Sequence, residues 1–347
     1  MLEKCLCGGN VRLVSINNRR YLGNKYRLLP FIRSIIDQNC PDMKSLADIF
    51  AGTGAVASLF PDRKIITNDL LYSNYQCHLT WFGSQKFSLE KIFDFIDFYN
   101  QSEPTEKNYM SENFSNSYFS EAVCRKIGFI REDIEQQFLA KKINLRERAV
   151  LITSLLYGMD KIANTCGHYD AWRQDVPFRD SLELRAPDIS DTVSNRGNEC
   201  YNEDANDLAE HIRADLVYID PPYNSRQYGD AYHVLENVAK WEKPEVFGVG
   251  RKMDRGESKS RYCTREAPVA FENLIRNIRA RYILVSYNNM AKNGDERSNA
   301  KISDDEITSI LTEKGQLKIF SESYKAFTTG KSIRPENEER LFLVIVR

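Results

Sequence analysis

The feature that most limits the fold is a set of four short apolar runs, each ending at a polar or glycine-rich turn: SLADIF (45–50), KIITNDL (64–70), ADLVYID (214–220) and RYILVSYNN (281–289). Each has strand length and is nearly continuous in apolar character, as expected of a strand buried on both faces. Helical patterns lie between them. Residues 26–38 put Leu28, Leu29, Ile32, Ile35 and Ile36 on one face, with Pro30 suited to the first turn. Buried strands alternating with helices predict an α/β fold around a parallel sheet. SDDEITSILTEKG is a second well-marked helix, with Ser303 and Glu306 as a capping box and Gly315 past its end. The runs QLKIFSESYKAF and RLFLVIVR, joined by a polar loop, predict an antiparallel hairpin at the sheet edge.

Residues 75–200 read differently. They hold helical stretches over 120–142 and 145–164, and then a long polar segment from Asn164 to Asn202. So long a loop suggests a binding role. The expected organisation is one core built from 1–74 and 201–347, with 75–200 as a helical insertion. Apolar residues make up 42% of the chain and charged residues 28%, which suits a packed globular core and excludes disorder as the main theme. No run approaches the roughly eighteen apolar residues a membrane helix needs, and the mean hydropathy is −0.50. The first twenty residues lack an apolar signal core, so secretion is not expected. Eight scattered cysteines without a C-x-x-C pair read as reduced thiols in a cytoplasm. Cys5 and Cys7 are half of a metal site with no matching pair, and no metal is expected.

Net charge is −1 and decides nothing about partners, but local charge is uneven. From Asn10 to Ile36 there are six basic residues (Arg12, Arg19, Arg20, Lys25, Arg27, Arg33) and no acid. From Arg251 to Arg265 six basic residues accompany two acids. A surface that tracks phosphates needs such a local excess, although either stretch alone also fits a solvated loop.

The turn Asp48-Ile49-Phe50-Ala51-Gly52-Thr53-Gly54 follows a strand and opens a helix, where glycines let backbone approach a ligand. Asp69 ends the next strand, 17 residues beyond Gly52, the place from which an acid binds ribose hydroxyls. Ala57 departs from G-x-G-x-x-G but is tolerated there, so a dinucleotide stays open, whereas the missing G-K-[ST] excludes a P-loop.

Asp220-Pro221-Pro222-Tyr223 stands at the carboxyl end of ADLVYID, the edge where open α/β sheets bind ligands. The two prolines stiffen the turn. It presents two acceptors, the Asp220 carboxylate and the Pro221 carbonyl, with an aromatic ring just beyond. Such an arrangement suits a planar base carrying an exocyclic amine. Two hydrogen bonds from the NH₂ favour a pyramidal nitrogen and free its lone pair, and Tyr223 stacks on the base.

These motifs, in this order, resemble the Dam-like class of S-adenosylmethionine-dependent DNA adenine methyltransferases, closest to those of restriction–modification systems. Tyr21-Leu22-Gly23-Asn24-Lys25, preceded by Arg20, resembles the N-terminal cofactor motif, with Tyr21 where Trp is frequent. Asp48, Phe50, Gly52 and Gly54 resemble the glycine motif, Asn68-Asp69 the ribose-binding acid, and Asp220 to Tyr223 the catalytic tetrad. Asn164-Thr165, Gly167 to Asp170, Asn224 to Tyr228, Tyr232-His233 and Leu235-Glu236 also match. The resemblance spans roughly residues 17–347. It implies a Rossmann-like methyltransferase fold: a mixed seven-stranded sheet with a C-terminal antiparallel hairpin and a helical insertion that recognises DNA. It further implies S-adenosyl-L-methionine as cofactor, with Lys25 at its carboxylate and Asp204 beside its adenine. Double-stranded DNA with a flipped adenine would be the substrate, and a cognate restriction endonuclease a partner. Rival readings are an RNA or cytosine amine methyltransferase, a binding module without catalysis, and a nicotinamide enzyme. Cytosine enzymes usually carry Ser in place of Asp220. His168 and His233 read as polar contacts, and Trp81, Phe82 and Tyr287 as core.

Overall fold

The computed structural model describes residues 13–19, 21–189, 195, 197–223, 225–254, 256–288, 301–324 and 337–347. Cys5, Cys7, Arg12, Arg20, Asn224, Arg255 and the end of the run at residue 289 lie outside the described residues. Among the described residues, seven strands form one sheet in the order β3-β2-β1-β4-β5-β7-β6. They are β1 Ser45–Asp48, β2 Lys64–Asn68, β3 Glu199–Tyr201, β4 Ala214–Ile219, β5 Ala280–Asn288, β6 Gly315–Tyr324 and β7 Asn337–Val346. β1 to β5 pair in parallel, while β7 runs antiparallel to both β5 and β6. The expected mixed sheet with its C-terminal hairpin is present, with β7 inside β6.

Alternate residues of each strand serve different faces. Leu46, Ile65, Leu216, Leu284 and Leu343 enter one cluster, and Ala47, Ile66, Val217, Ile283 and Val344 another. The first is covered by α1 (Leu29–Asn39), whose buried residues Leu29, Ile32, Ile35 and Ile36 form the expected stripe. The second packs on α7 (Ala205–Ala209), α10 (Ala267–Asn277) and α11 (Asp304–Lys314). Ser303 and Glu306 close the capping box of α11. Gly315 has extended φ and starts β6 at once. A Cβ there would meet the Ile345 carbonyl, so close strand pairing, rather than a left-handed cap, requires the glycine.

The segment between β2 and β3 holds α2 (Tyr72–Phe82), α3 (Leu89–Gln101), α4 (Tyr109–Phe114), α5 (Glu121–Leu139) and α6 (Leu145–Ile162). These share a third core with α8 (Tyr228–Ala231) and α9 (His233–Lys240), which follow β4. The positions 74/75 and 200/201 fall inside α2 and β3. Polar caps bind these helices together: Glu236 on α9 accepts from the Tyr72 and Ser73 amides at 2.9 Å each, capping α2. Arg131 on α5 returns the favour by donating to the Val238 carbonyl at 2.8 Å, near the end of α9.

Strand order reverses between β1 and β4, since β1 is followed by β2 on one side and flanked by β4 on the other. Such a switch point opens a crevice at the carboxyl ends of the strands.

Candidate active site

A cleft of about 930 Å³, including its open mouth, lies at that crevice. Its walls bring together Tyr21, Gly23, Asn24, Lys25, Asp48, Phe50, Gly52, Asp69, Asp204, Asp220 and Pro222. These come from five separate stretches of chain. Gly54, Pro221 and Tyr223 belong to the same turns but are not among the wall residues.

The glycine turn is held from behind. Gly52 and Gly54 take positive φ, +54° and +81°, where only glycine is at ease. The Gly52 amide donates to Asp69 Oδ2 at 2.8 Å, and the Leu71 amide donates to Asp69 Oδ1 at 2.8 Å. Asp69 therefore ties the glycine turn to the end of β2, and burial pushes its carboxyl up to about 6. His78 on α2 lies 2.9 Å from the Gly52 carbonyl through Nε2. Burial pushes this imidazole down to about 4, so it is neutral and donates to that carbonyl. No motif pointed to His78. A Cβ on Gly54 would come within 2.8 Å of the Phe82 ring, so Gly54 serves packing behind the cleft.

The N-terminal motif forms the opposite wall. Gly23 has φ +74°, and a Cβ there would come 3.0 Å from the Tyr228 hydroxyl. Tyr21 stacks on Tyr232 with ring centroids 4.7 Å apart, and the Leu22 amide donates to the Tyr232 hydroxyl at 2.7 Å. Beneath this wall Arg19 is buried, paired with Asp160 at 3.1 Å and Asn74 at 2.9 Å.

Lys25 is 7% exposed. Its Nζ lies 3.0 Å from Asp220 Oδ1 and 2.9 Å from Glu339 Oε1 on β7. Sequence reasoning assigned Lys25 to the cofactor's carboxylate and missed Glu339. The ammonium here spends two of its three donors on carboxylates of the chain itself. Asp220 is pushed up to about 6, by burial first, against the pull of Lys25 and with the push of Glu339. Asp48 at the end of β1 is buried with no partner on Oδ1. Burial, and then the charges of Asp220 and Asp69, hold its carboxyl well above the usual range.

Asp204 caps α7 through the Asn206 amide at 2.9 Å and pairs with Arg261 at 3.1 Å. Phe50 meets Tyr262 edge-on at 5.0 Å. The Tyr223 ring sits edge-on to Tyr287 at 6.0 Å, with Lys25 Nζ 6.0 Å from its centroid.

The two basic stretches diverge. Arg19 and Lys25 are buried in ion pairs, and Arg33 pairs with Asp37 along α1, so the first stretch is not one phosphate-tracking surface. In the second, Arg251, Lys259 and Arg265 are exposed, while Ser258, Ser260 and Tyr262 line the cleft. Gln227 locks this segment down, accepting from the Ser260 amide at 2.9 Å and donating to its carbonyl at 3.1 Å. His168 lies outside the cleft, beside Asp170, which also pairs with Lys252 at 3.1 Å. His233 is buried against the Tyr169 carbonyl at 2.9 Å and pushed down to about 4, a structural contact. Phe82 and Tyr287 are core, as expected, and Trp81 is half-buried.

Comparison with known proteins agrees with this geometry. The model of the D12 class N6 adenine-specific DNA methyltransferases matches residues 21–300. Modification methylase StsI of Streptococcus sanguinis is 33% identical, over 85% of this chain and 46% of its own length. Type II methyltransferase M.FokI of Planomicrobium okeanokoites is 31% identical, over 94% of this chain and 52% of its own. Type II methyltransferase M.NlaIII of Neisseria lactamica is 29% identical, over 90% of this chain and 93% of its own. The chain thus spans about half the length of the first two relatives and nearly all of the third. With the family model covering the cleft, the glycine turn and the Asp-Pro-Pro-Tyr turn alike, the chain belongs to the D12 class N6 adenine-specific DNA methyltransferase family.

Proposed function

We propose that the chain transfers a methyl group from S-adenosylmethionine to the exocyclic amine of adenine in double-stranded DNA, as the modification activity of a restriction–modification system. The observation that carries this reading is the joining of the glycine-turn cleft to Asp220 at the switch point of the sheet. The cleft suits a cationic cofactor. The acids Asp48, Asp69, Asp204 and Asp220 line it together with Lys25, and Asp48 Oδ1 is buried without a hydrogen-bond partner. S-adenosylmethionine supplies an electrophilic methyl on a positively charged sulfur. Asp69, Phe50 and Asp204 would hold its adenosine end, and the segment around Gly23 and Lys25 its amino-acid end.

The residues of the chain then perform positioning and charge alignment. Asp220 Oδ2 and the Pro221 carbonyl accept from the target amine, drawing its nitrogen toward a pyramidal, nucleophilic form. The prolines keep the two acceptors in fixed relation. Tyr223 stacks on a base flipped from the duplex, where unstacking costs on the order of a few kcal/mol. The methylated amine is acidic enough to lose its proton to Asp220 or water. The segment 75–200, helped by 251–265, contacts the DNA, and a restriction endonuclease of matching specificity is the expected partner. Among the described residues no helix is long and apolar enough to cross a membrane.

Incubation with methyl-labelled S-adenosylmethionine and mixed duplex DNA, followed by mass spectrometry of nucleosides, tests this reading. N6-methyladenine is expected. Label in N4-methylcytosine, or in RNA alone, would refute it. Methylation-sensitive sequencing of DNA from an expressing host then gives the site.

A further inference from the structure

The C-terminal strand contributes a carboxylate to the cleft region that no motif announces. Glu339 is 2% exposed. One oxygen, Oε1, meets both Lys25 Nζ at 2.9 Å and Ser286 Oγ at 2.6 Å. The same Nζ meets Asp220 Oδ1 at 3.0 Å. One ammonium therefore bridges a carboxylate just past the end of β4 and one on β7, and a hydroxyl on β5 fixes the latter. Burying an unneeded acid here would only cost desolvation free energy. Stability alone gives no reason to place a second acid behind an ion pair that is already neutral.

Geometry supplies a reason. A lysine with a single partner follows that partner as it rotates, because its four-carbon stem is flexible. A lysine anchored from behind by Glu339 cannot. Asp220 is then gripped by one oxygen, and the other is left with a fixed direction. Resting on the methyltransferase reading above, we propose that Glu339 is a positioning residue, which anchors Lys25 and through it aims the free oxygen of Asp220 at the target amine. Its negative charge also offsets Lys25, so Asp220 stays a good acceptor instead of being fully masked by the ammonium.

The groups that face Asp220 come from several elements. They are Lys25 before α1, Asp48 on β1, Tyr218 on β4, Tyr228 on α8 and Glu339 on β7. Of these, Glu339 is the one that can lose its charge without losing its hydrogen bonds. Glu339→Gln retains an oxygen for Lys25 and Ser286 and removes only the charge.

In the Glu339→Gln enzyme kcat should fall about tenfold, KM for DNA and for S-adenosylmethionine should change less than about threefold, and the acid limb of kcat should move down by about one pH unit. Removing a neighbouring negative charge favours ionisation of Asp220, which sets that direction. Glu339→Asp, which keeps the charge, should return the limb toward the wild-type pH. Ser286→Ala is the independent variant. It loosens Glu339 but leaves its charge, so kcat falls and the limb stays. Carbon-13 titration of the Asp220 carboxyl reads the same coupling without turnover. Asp220 titrating identically in wild type and Glu339→Gln would overturn the proposal, and so would a shifted titration with unchanged kcat. A wild-type chain that methylates no adenine would refute the activity, while the carboxyl titration would still decide the role of Glu339.

Discussion

Asp220 is ionised at a cost to the fold. Its folded value of about 6 stands above the ordinary 3.8. Between those values the folded chain holds more protons than the unfolded one, so this group's contribution to stability is full below about pH 4 and lost as pH rises through 6. Asp220→Asn should therefore raise Tm at pH 8, by on the order of 1–3 kcal/mol of stability, while methyl transfer disappears. Thermal melts at pH 5 and 8 check this, since the gain at pH 5 should be only about half of that at pH 8. An unstable Asp220→Asn at pH 8 would mean that the carboxylate stabilises the fold. Wild-type activity should rise with pH through about 6, as the acceptor ionises. At this scale the tetrad and the glycine turn were legible, because rigid turns at strand ends leave local signatures. Glu339 was not, since it precedes the apolar run RLFLVIVR and reads as loop. Only its spacing from Leu341 and Leu343, on the same face of β7, hinted at burial. Asp204 was legible as an acid near the cleft, but its service to α7 and Arg261 depends on a partner 57 residues away.

At the scale of elements, the strands other than β3, and α1, were legible because apolar periodicity reports burial. α2 was not, and the reason is physical. Its buried residues include Ser73, Asn74, Gln76, His78 and Thr80, polar side chains several of which are held by hydrogen bonds instead of by apolar contact. Thr80 bonds Thr153 on α6 at 2.8 Å, Asn74 bonds Arg19, and His78 supports the glycine turn. Periodicity is silent when the buried face is polar. β3 was equally quiet, with three residues, none fully buried. The two glycines of the turn should respond differently. Gly54→Ala strains the backbone and presses on Phe82, and should lower stability by about 1–3 kcal/mol. Gly52→Ala would put a Cβ 3.1 Å from the Tyr21 ring and should chiefly weaken cofactor binding. Thermal melts and calorimetry separate the two, and the reverse pattern would reassign them. On the segment 251–265, Arg251 and Lys259 are exposed whereas Lys252 and Arg261 are in ion pairs. Neutralising Arg251 or Lys259 should flatten the salt dependence of DNA binding by about one unit each. An unchanged slope in both would take this segment off the phosphates.

For the whole molecule, the sheet order sets where chemistry happens, and the helices between β2 and β3 share their core with α8 and α9, which follow β4. Glu236 capping α2 and Arg131 gripping the end of α9 tie helices from both sides of β3 in the sequence into one packed unit. Displacing either cap should loosen the cleft from a distance.

The segment 251–265 has two allegiances. Ser258, Ser260 and Tyr262 line the cleft, Arg261 clasps Asp204, and Arg251 and Lys259 point outward. Whatever settles on one side of this strip should then be felt on the other, and thermodynamics makes any such coupling mutual. DNA should change the Kd for S-adenosylmethionine by some factor, typically on the order of 5–150-fold, and the cofactor should change the Kd for DNA by that same factor. Arg261→Ala should bring both factors toward one together. Order of arrival would then be a preference of rate, written into a strip of chain that two ligands would share.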